Sequence, residues 1–216
     1  MTQLDCSLMY VTDDRITEDI QFLDILEASL KGGATIIQLR EKSMSTMLFY
    51  KRAVAAKQLC DKYLIPLIIN DRVDIAMAVN AAGVHIGQKD MPVSVTRELL
   101  GGNKIIGWSV SNLEQAIEAN QLEVDYIGLS PLFATNTKTQ DLDSPLGITG
   151  LKKMKELSNK PIICIGGVNA DNAASVMENG SDGIAVVSAI SQAENPEQAT
   201  TALRQIISDA GVMKKT

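Results

Sequence analysis

Eight short apolar runs, rich in isoleucine and valine, recur along the 216-residue chain and most constrain its fold. They read LMYVTD, ATIIQLRE, IPLIIND, GVHIGQ, KIIGWSV, DYIGLSP, KPIICIGG and DGIAVVSA. Such runs predict strands buried on both faces, which are typical of parallel sheets. Longer segments with helical spacing separate the runs, so strand and helix alternate throughout.

Two of the intervening segments are clear amphipathic helices. TEDIQFLDILEASLKGG predicts a helix with Ile20, Leu23, Leu26 and Leu30 on its buried face and glycines at its end. STMLFYKRAVAAKQLCDKY is the second such segment. The crossovers between parallel strands are therefore expected to be helical.

Eight strand and helix units predict a closed (β/α)₈ barrel, the TIM barrel, as a single domain over residues 1–216. An open doubly wound sheet is the competing architecture. Against it, no G-x-G-x-x-G follows the first run, and a glycine-rich turn appears only after the seventh. Barrels bind phosphate on the loops after strands seven and eight, where IGGVNADN and VVSAISQ lie, so the barrel is favoured.

Composition limits the class of protein. A net charge of −6 and a pI near 4.9 argue against nucleic-acid binding, which needs a basic face. Cys6, Cys60 and Cys164 form no CxxC pair, so neither a disulfide framework nor a zinc site is indicated. The N-terminus lacks a signal-peptide pattern, and no apolar run approaches the roughly 18 residues of a membrane span. We expect a cytoplasmic protein with small-molecule ligands.

The stretch IIQLREK begins as a buried strand and ends in charges. Side chains alternate along a strand, so Gln38, Arg40 and Lys42 should point one way and Ile37 and Leu39 the other. The polar set is therefore directed at one place.

Other polar and glycine residues follow the remaining strands at the same end. In a (β/α)₈ barrel these carboxyl-terminal ends form the active face, so residues far apart in sequence meet there. The candidates are Gln38, Arg40, Lys42, Asn70, Asp71, Asp90, Ser109, Thr135, Thr137, Lys138, Gly166, Gly167, Val187 and Ser188.

The chemistry of this set indicates two phosphate positions. Arginine and lysine at the mouth suit an anion. Asp71 and Asp90 would repel that anion unless Mg²⁺ stood between, and no histidine or cysteine pair favours zinc. Backbone N–H groups at IGGV, with a helix expected to begin near Asn169, would bind a second phosphate. We predict a diphosphate with metal and, separately, a monophosphate.

Each feature has a simpler interpretation. Asp71 could cap the helix RVDIAMAVN, and GG after a strand is usually a turn. Arg40 could pair with Glu41 or another acid. The long irregular segment PLFATNTKTQDLDSPLG is interpreted as a lid, although TNTK alone would suit any solvated loop.

Five co-linear motifs, GGATIIQLREK, LIINDRVDIAMAVNAAGVHIGQKD, DYIGLSPLFATNTK, CIGGV and DGIAVVSAI, closely resemble the thiamine-phosphate synthase family from about Tyr10 to Ile190. In that family a TIM barrel joins 4-amino-5-hydroxymethyl-2-methylpyrimidine diphosphate to a thiazole phosphate. Thiamine phosphate and pyrophosphate are the products. The resemblance implies a dissociative substitution, in which pyrophosphate departs before the thiazole nitrogen attacks.

The resemblance also implies site residues. Those for the pyrimidine diphosphate are Gln38, Leu39, Arg40, Glu41, Lys42, Asn70, Ser109 and Lys138, of which Arg40, Lys42, Ser109 and Lys138 would be catalytic. Those for Mg²⁺ are Asp71 and Asp90. Those for the thiazole phosphate are Thr135, Asn136, Thr137, Gly167, Val187 and Ser188. The chain departs from the family pattern at Ser130, Ala134 and Val110 to Asn112.

Three alternatives remain open. A thiazole tautomerase is similar across the barrel but looks to a histidine near the fifth strand; the sole histidine, His85, lies in the fourth and is expected to be structural or to line the pocket. Another phosphate-binding TIM-barrel enzyme could use Lys42 or Lys138 as a Schiff-base lysine. A phosphate-ligand sensor would bind without turnover.

Overall fold

The structure, a computed structural model, describes residues 4–135 and 144–213. Eight strands and nine helices are found in these ranges. The strands are β1 Leu8–Val11, β2 Ile36–Leu39, β3 Leu67–Asn70, β4 Gly83–Ile86, β5 Ile105–Val110, β6 Tyr126–Leu129, β7 Ile162–Cys164 and β8 Gly183–Val186. The helices are α1 Asp19–Lys31, α2 Thr46–Lys62, α3 Val73–Ala78, α4 Val93–Leu100, α5 Leu113–Ala119, α6 Gly147–Leu157, α7 Ala173–Glu178, α8 Ser188–Ser191 and α9 Pro196–Met213.

The strands form a closed parallel barrel in sequence order, with β8 paired to β1. Each of the eight predicted runs contains one strand, so the (β/α)₈ prediction is confirmed and the open sheet is excluded. Because every strand is parallel, all eight carboxyl ends meet at one mouth.

Alternation along the strands divides the core into two layers. Ile37 and Leu39 pack outward against the helices, whereas Ile36 faces the barrel interior. The interior cluster also contains Met9, Val11, Ile68, Tyr126, Ile163 and Ala185, with Cys6 at its edge. The predicted two-faced pattern of β2 is therefore present, and Gln38 continues the interior row.

Helix α1 corrects one detail of the sequence interpretation. Its buried stripe contains Phe22, Ile25, Leu26 and Leu30, while Ile20 is 79% exposed. Ile20 lies two residues before Phe22, which places it about 200° around the helix and thus on the opposite side. Its apolar side chain was therefore wrongly assigned to the core face.

The cysteines and the single tryptophan lie in apolar surroundings, as their neighbours in the sequence indicate. Cys6, Cys60 and Cys164 are buried and unpaired. Trp108 packs in the outer layer between barrel and helices. Among the described helices, none combines the length and the apolar character needed to cross a membrane.

Candidate active site

A cavity of about 720 Å³ opens at the mouth of the barrel. This volume lies within the range of small-molecule sites. Twelve of the predicted residues line it, contributed by seven strands or the loops that follow them: Gln38, Arg40, Lys42, Asn70, Asp71, Asp90, Ser109, Thr135, Gly166, Gly167, Val187 and Ser188. The structure thus brings together most of the residues singled out from the sequence.

Some predicted residues are placed elsewhere. Leu39 packs in the outer layer, and the buried Glu41 carboxylate bonds Arg52 of α2 on the outside of the barrel. Side chains alternate along β2 and its extension, and Leu39 and Glu41 alternate with Gln38, Arg40 and Lys42. Their side chains therefore point away from the cavity. Asn136, Thr137 and Lys138 lie outside the described residues, as do residues 139–143 of the segment interpreted as a lid.

The two cations of the β2 end are each paired with a carboxylate. Lys42 Nζ contacts Asp71 Oδ2, and Arg40 Nη1 lies 2.8 Å from Asp14 Oδ2. The partner of Arg40 is thus Asp14 from the β1–α1 loop and not its neighbour Glu41. These pairs place opposite charges side by side at one rim of the cavity. A charged ligand could replace one member of each pair.

Asp71 and Asp90 lie next to each other on neighbouring loops. Burial raises the pKa of Asp90, the Asp71 carboxylate adds to that rise, and the Gly87 N–H that donates to Asp90 Oδ2 at 2.7 Å opposes it. Asp71 does not cap α3, because the helix N-cap is Arg72 and carries no side-chain cap bond. The capping interpretation is therefore wrong.

This carboxylate pair fits Mg²⁺ better than a transition metal. Among residues 4–135 and 144–213, no group of three or more His, Cys, Asp and Glu side chains is placed to hold a metal. Mg²⁺ is usually held by one or two carboxylates, with phosphates and waters completing its shell. Asp71 and Asp90 supply that number of ligands, beside cations suited to phosphate.

The glycine turn after β7 forms the opposite rim. Gly166 and Gly167 have φ values of 99° and 66°, in the region that disfavours other residues. A Cβ at Gly167 would lie 2.6 Å from the Ala134 carbonyl, so the turn also packs tightly against the segment after β6. The turn lines the cavity without side chains, which lets an anion approach its backbone closely.

The helix that was expected to begin near Asn169 starts later. Helix α7 begins at Ala173, four residues beyond Asn169, and has only six residues. The Asn169 N–H already donates to Asn172 Oδ1 at 3.0 Å. Residues around Gly167, Asn169 and Ser188 therefore line this rim of the cavity, and α7 itself begins beyond them.

His85 lies deep in the cavity wall between two hydroxyl groups. Its Nε2 is 2.8 Å from Ser109 Oγ, and its Nδ1 is 3.0 Å from the Tyr126 hydroxyl. Burial lowers the pKa of His85 to about 4, so the ring is neutral at physiological pH. A histidine therefore does lie beside β5 in space, although its second nitrogen meets a phenol rather than the carboxylate of a catalytic triad.

Two glycines make room for this histidine. A Cβ at Gly107 would lie 2.1 Å from Tyr126 Cζ and 2.5 Å from His85 Nδ1, and one at Gly128 would lie 2.9 Å from the His85 ring. Gly107 is the register partner of His85, and Gly128 is the register partner of Ser109. The glycines in KIIGWSV and DYIGLSP were the sequence signal for a large interior side chain, but they identify it only once the register is known.

Sequence reasoning also missed Gln88 and Asp14. Gln88 lines the cavity and donates from Nε2 to the Ser109 carbonyl at 2.8 Å. Asp14 follows the first strand within the run VTDD, so its place at a strand end could have suggested it.

Comparison with known proteins agrees with this geometry. The family model described as thiamine monophosphate synthase matches residues 8–190. A thiamine-phosphate synthase of Clostridium novyi is 44% identical over 199 residues, which cover 92% of this chain and 97% of that protein. One of Clostridium tetani is 46% identical, covering 91% and 93%.

Solved structures extend the likeness to three dimensions. A thiamine phosphate pyrophosphorylase from Pyrococcus furiosus has a TM-score of 0.86 and 38% identity, covering 97% of this chain and 99% of that one. An orotidine 5′-phosphate decarboxylase from Pyrococcus horikoshii, at 17% identity and a TM-score of 0.69, shares the fold alone. The matched residues span all eight strands, and the chain belongs to the thiamine monophosphate synthase family.

Proposed function

We propose that this protein is a transferase that condenses 4-amino-5-hydroxymethyl-2-methylpyrimidine diphosphate with a thiazole phosphate. The products are thiamine phosphate and pyrophosphate. One observation carries the proposal: a single cavity is lined on one rim by Arg40, Lys42, Asp71 and Asp90 and on the other by Gly167 and Ser188. Two phosphate-bearing substrates can therefore be held facing each other.

The basic rim would bind the diphosphate. On binding, Arg40 and Lys42 would exchange Asp14 and Asp71 for phosphate oxygens, with Lys138 proposed as a third cation. Gln38 and Asn70, on the same wall, would contact the pyrimidine. Leu39 and Glu41 would act without side-chain contact to substrate, since both turn away from the cavity.

Asp71 and Asp90 would hold Mg²⁺ beside the diphosphate. The ion would supply positive charge that stabilises the departing pyrophosphate. The carboxylates suit this role because they lie together and line the cavity beside Arg40 and Lys42.

The bond changes need no protein base. The carbon–oxygen bond of the pyrimidine methylene breaks and pyrophosphate leaves with its electrons; the thiazole nitrogen then forms the new carbon–nitrogen bond. No proton moves between heavy atoms. The low pKa and enclosed position of His85 agree with a positioning role, in which its ring orients Ser109 toward the pyrimidine substrate.

The glycine rim would bind the thiazole phosphate. Gly167, Val187 and Ser188 would offer backbone and hydroxyl groups, with Thr135 beside them. Asn136 and Thr137 complete the proposed set. Anchoring the phosphate at this rim would leave the thiazole ring facing the pyrimidine, so positioning takes the place of a protein nucleophile.

The geometry favours this reaction over a Schiff-base mechanism. A Schiff-base lysine needs desolvation or a cationic neighbour to become nucleophilic. Lys42 is 47% exposed and paired with a carboxylate, the opposite environment. We also propose a cytoplasmic location, supported by three cysteines that all remain unpaired.

The test is pyrophosphate release from the pyrimidine diphosphate, with and without thiazole phosphate and Mg²⁺, and identification of the organic product by mass. We expect rapid release only with both additions, and a product with the mass of thiamine phosphate. No release under any condition would contradict the proposal. A tautomerase assay on the thiazole phosphate without Mg²⁺ would then test the sibling activity.

A further inference from the structure

Arg52 of α2 carries a charge in the protein interior directly behind the mouth. Its side chain is only 2% exposed. It donates five hydrogen bonds, to Glu41 Oε1 at 2.8 Å, to the Ile16 and Thr17 carbonyls at 3.0 and 2.9 Å, and twice to Asp19 Oδ1 at 3.0 and 2.6 Å. The guanidinium also lies 4.5 Å from the centroid of the Phe22 ring. Its partners come from two separate segments of chain.

The first segment is the end of β2. Glu41 is 1% exposed; its Oε1 bonds Arg52, and its Oε2 has no partner among the described residues. Since Glu41 stands between Arg40 and Lys42 in an extended stretch, its side chain points outward while theirs point to the mouth. Fixing Glu41 therefore fixes the backbone that carries both cations.

The second segment is the β1–α1 loop together with Asp19, the first residue of α1. Arg52 holds it through Ile16, Thr17 and Asp19, as described above. The same loop also contacts Arg40, because Asp14 pairs with its guanidinium and Thr12 Oγ1 accepts its backbone N–H at 2.9 Å. The two segments joined by Arg52 thus meet again at Arg40.

We propose that Arg52 is a positioning residue: it holds Glu41 and the β1–α1 loop together, and so sets the spacing at which Arg40 and Lys42 bind the diphosphate leaving group. The inference rests on the proposed function for the identity of that anion. The tethering of the two segments does not depend on it.

A purely stabilising arginine elsewhere provides the matched control. Arg97 of α4 has a side chain 14% exposed and donates to the Gly101, Lys104 and Glu123 carbonyls at 3.1, 2.6 and 2.8 Å, and to Asp125 at 3.0 Å. These groups lie before β5 and β6, at the end of the barrel away from the mouth. Arg97 therefore resembles Arg52 in its number and kind of hydrogen bonds, but it lies at the opposite end of the barrel.

The first experiment compares Arg52→Lys with Arg97→Lys by steady-state kinetics and thermal unfolding. Lysine keeps the charge but loses the planar fork that reaches both segments. We expect Arg52→Lys to lower kcat/KM for the pyrimidine diphosphate roughly tenfold to a hundredfold, as for a small misplacement of binding groups. The KM for the thiazole phosphate should change much less. Equal kinetic losses in both variants, in proportion to their lowered melting temperatures, would overturn the proposal.

A second variant, Glu41→Gln, tests the proposal if Arg52→Lys does not fold. A second readout, amide hydrogen exchange, tests it if the unmodified protein shows no turnover. Glu41→Gln keeps the side-chain shape and one acceptor for Arg52. Amide hydrogen exchange of residues 12–19 and 40–45 then measures the tether without substrate, and we expect faster exchange in both segments than in Arg97→Lys. Unchanged protection of both segments in Glu41→Gln, or in Arg52→Lys where that variant folds, would refute the positioning role whatever the reaction.

Discussion

The two ends of the barrel use charged residues differently. At the amino-terminal end, Asp125 accepts the Ile106 N–H at 2.8 Å and bonds Arg97, and Asp182 accepts the Ile162 N–H at 2.8 Å and bonds Lys155. Each carboxylate ties the start of one strand to its neighbour. At the carboxyl-terminal mouth, two cations pair with side-chain carboxylates around a cavity: Lys42 with Asp71 and Arg40 with Asp14.

This difference separates stability from ligand binding. A carboxylate that accepts a backbone N–H closes part of the fold, so its loss leaves an unsatisfied donor in the folded state. When two charged side chains pair at the rim of a cavity, each can leave its partner and bind a ligand instead. The stability of the fold then changes little. Variants at the two ends should therefore lose different properties.

The largest effect is expected for Asp71→Asn at the mouth. Asparagine tolerates the left-handed backbone that Asp71 adopts, with φ of 63°. Losing the carboxylate should lower the rate of thiamine phosphate formation roughly a hundredfold or more, because the Mg²⁺ site is weakened. Melting temperature should stay close to that of the unmodified protein. Near-normal turnover at every Mg²⁺ concentration, limiting ones included, would remove Asp71 from the metal site.

Arg97→Met should show the reverse pattern. Its loss leaves the Lys104 and Glu123 carbonyls and Asp125 without their shared donor. We expect a loss of roughly 1–3 kcal/mol in the free energy of unfolding, measured by urea denaturation. Activity per folded molecule should be unchanged, and a selective loss of substrate binding would break the proposed division between the two ends.

Gly167→Ala should weaken one substrate more than the other. The added Cβ meets the Ala134 carbonyl and forces the turn to shift, so the KM for thiazole phosphate should rise about tenfold, within the usual cost of strained contacts. Gly101→Ala is the matched control, because Gly101 has φ of 75° but nothing within 4 Å of its Cβ position. Equal weakening of both substrates would place the glycine turn in another role.

The smallest effect concerns pH and Asp90. Its raised pKa means that the folded protein binds this proton more tightly than the unfolded chain, so stability falls as pH rises through that pKa. Asp90→Asn should therefore raise the melting temperature at neutral pH without divalent cations. The gain should be only about 1–3 °C, since Asp90 is only partly removed from solvent, which screens its charge, and should vanish at acid pH. A gain that is independent of pH would point to another cause.

The fold was largely predictable because its signals are local. Eight buried runs and their helical spacers were sufficient for the barrel, and period-two alternation correctly placed Gln38, Arg40 and Lys42 on one face. The errors were also local. Ile20 was assigned by apolar character without regard to its angle on the helix, and the helix near Asn169 began later than its polar start suggested.

The sequence by itself determined which side chains each strand directs to the mouth, because alternation depends only on neighbouring residues. Only the tertiary structure decided how those side chains pair. Asp14 meets Arg40, Arg52 meets Glu41, and His85 lies between Ser109 and Tyr126. Each contact joins separate segments, so its distance is set by strand register and by closure of the barrel, which no single stretch of chain encodes.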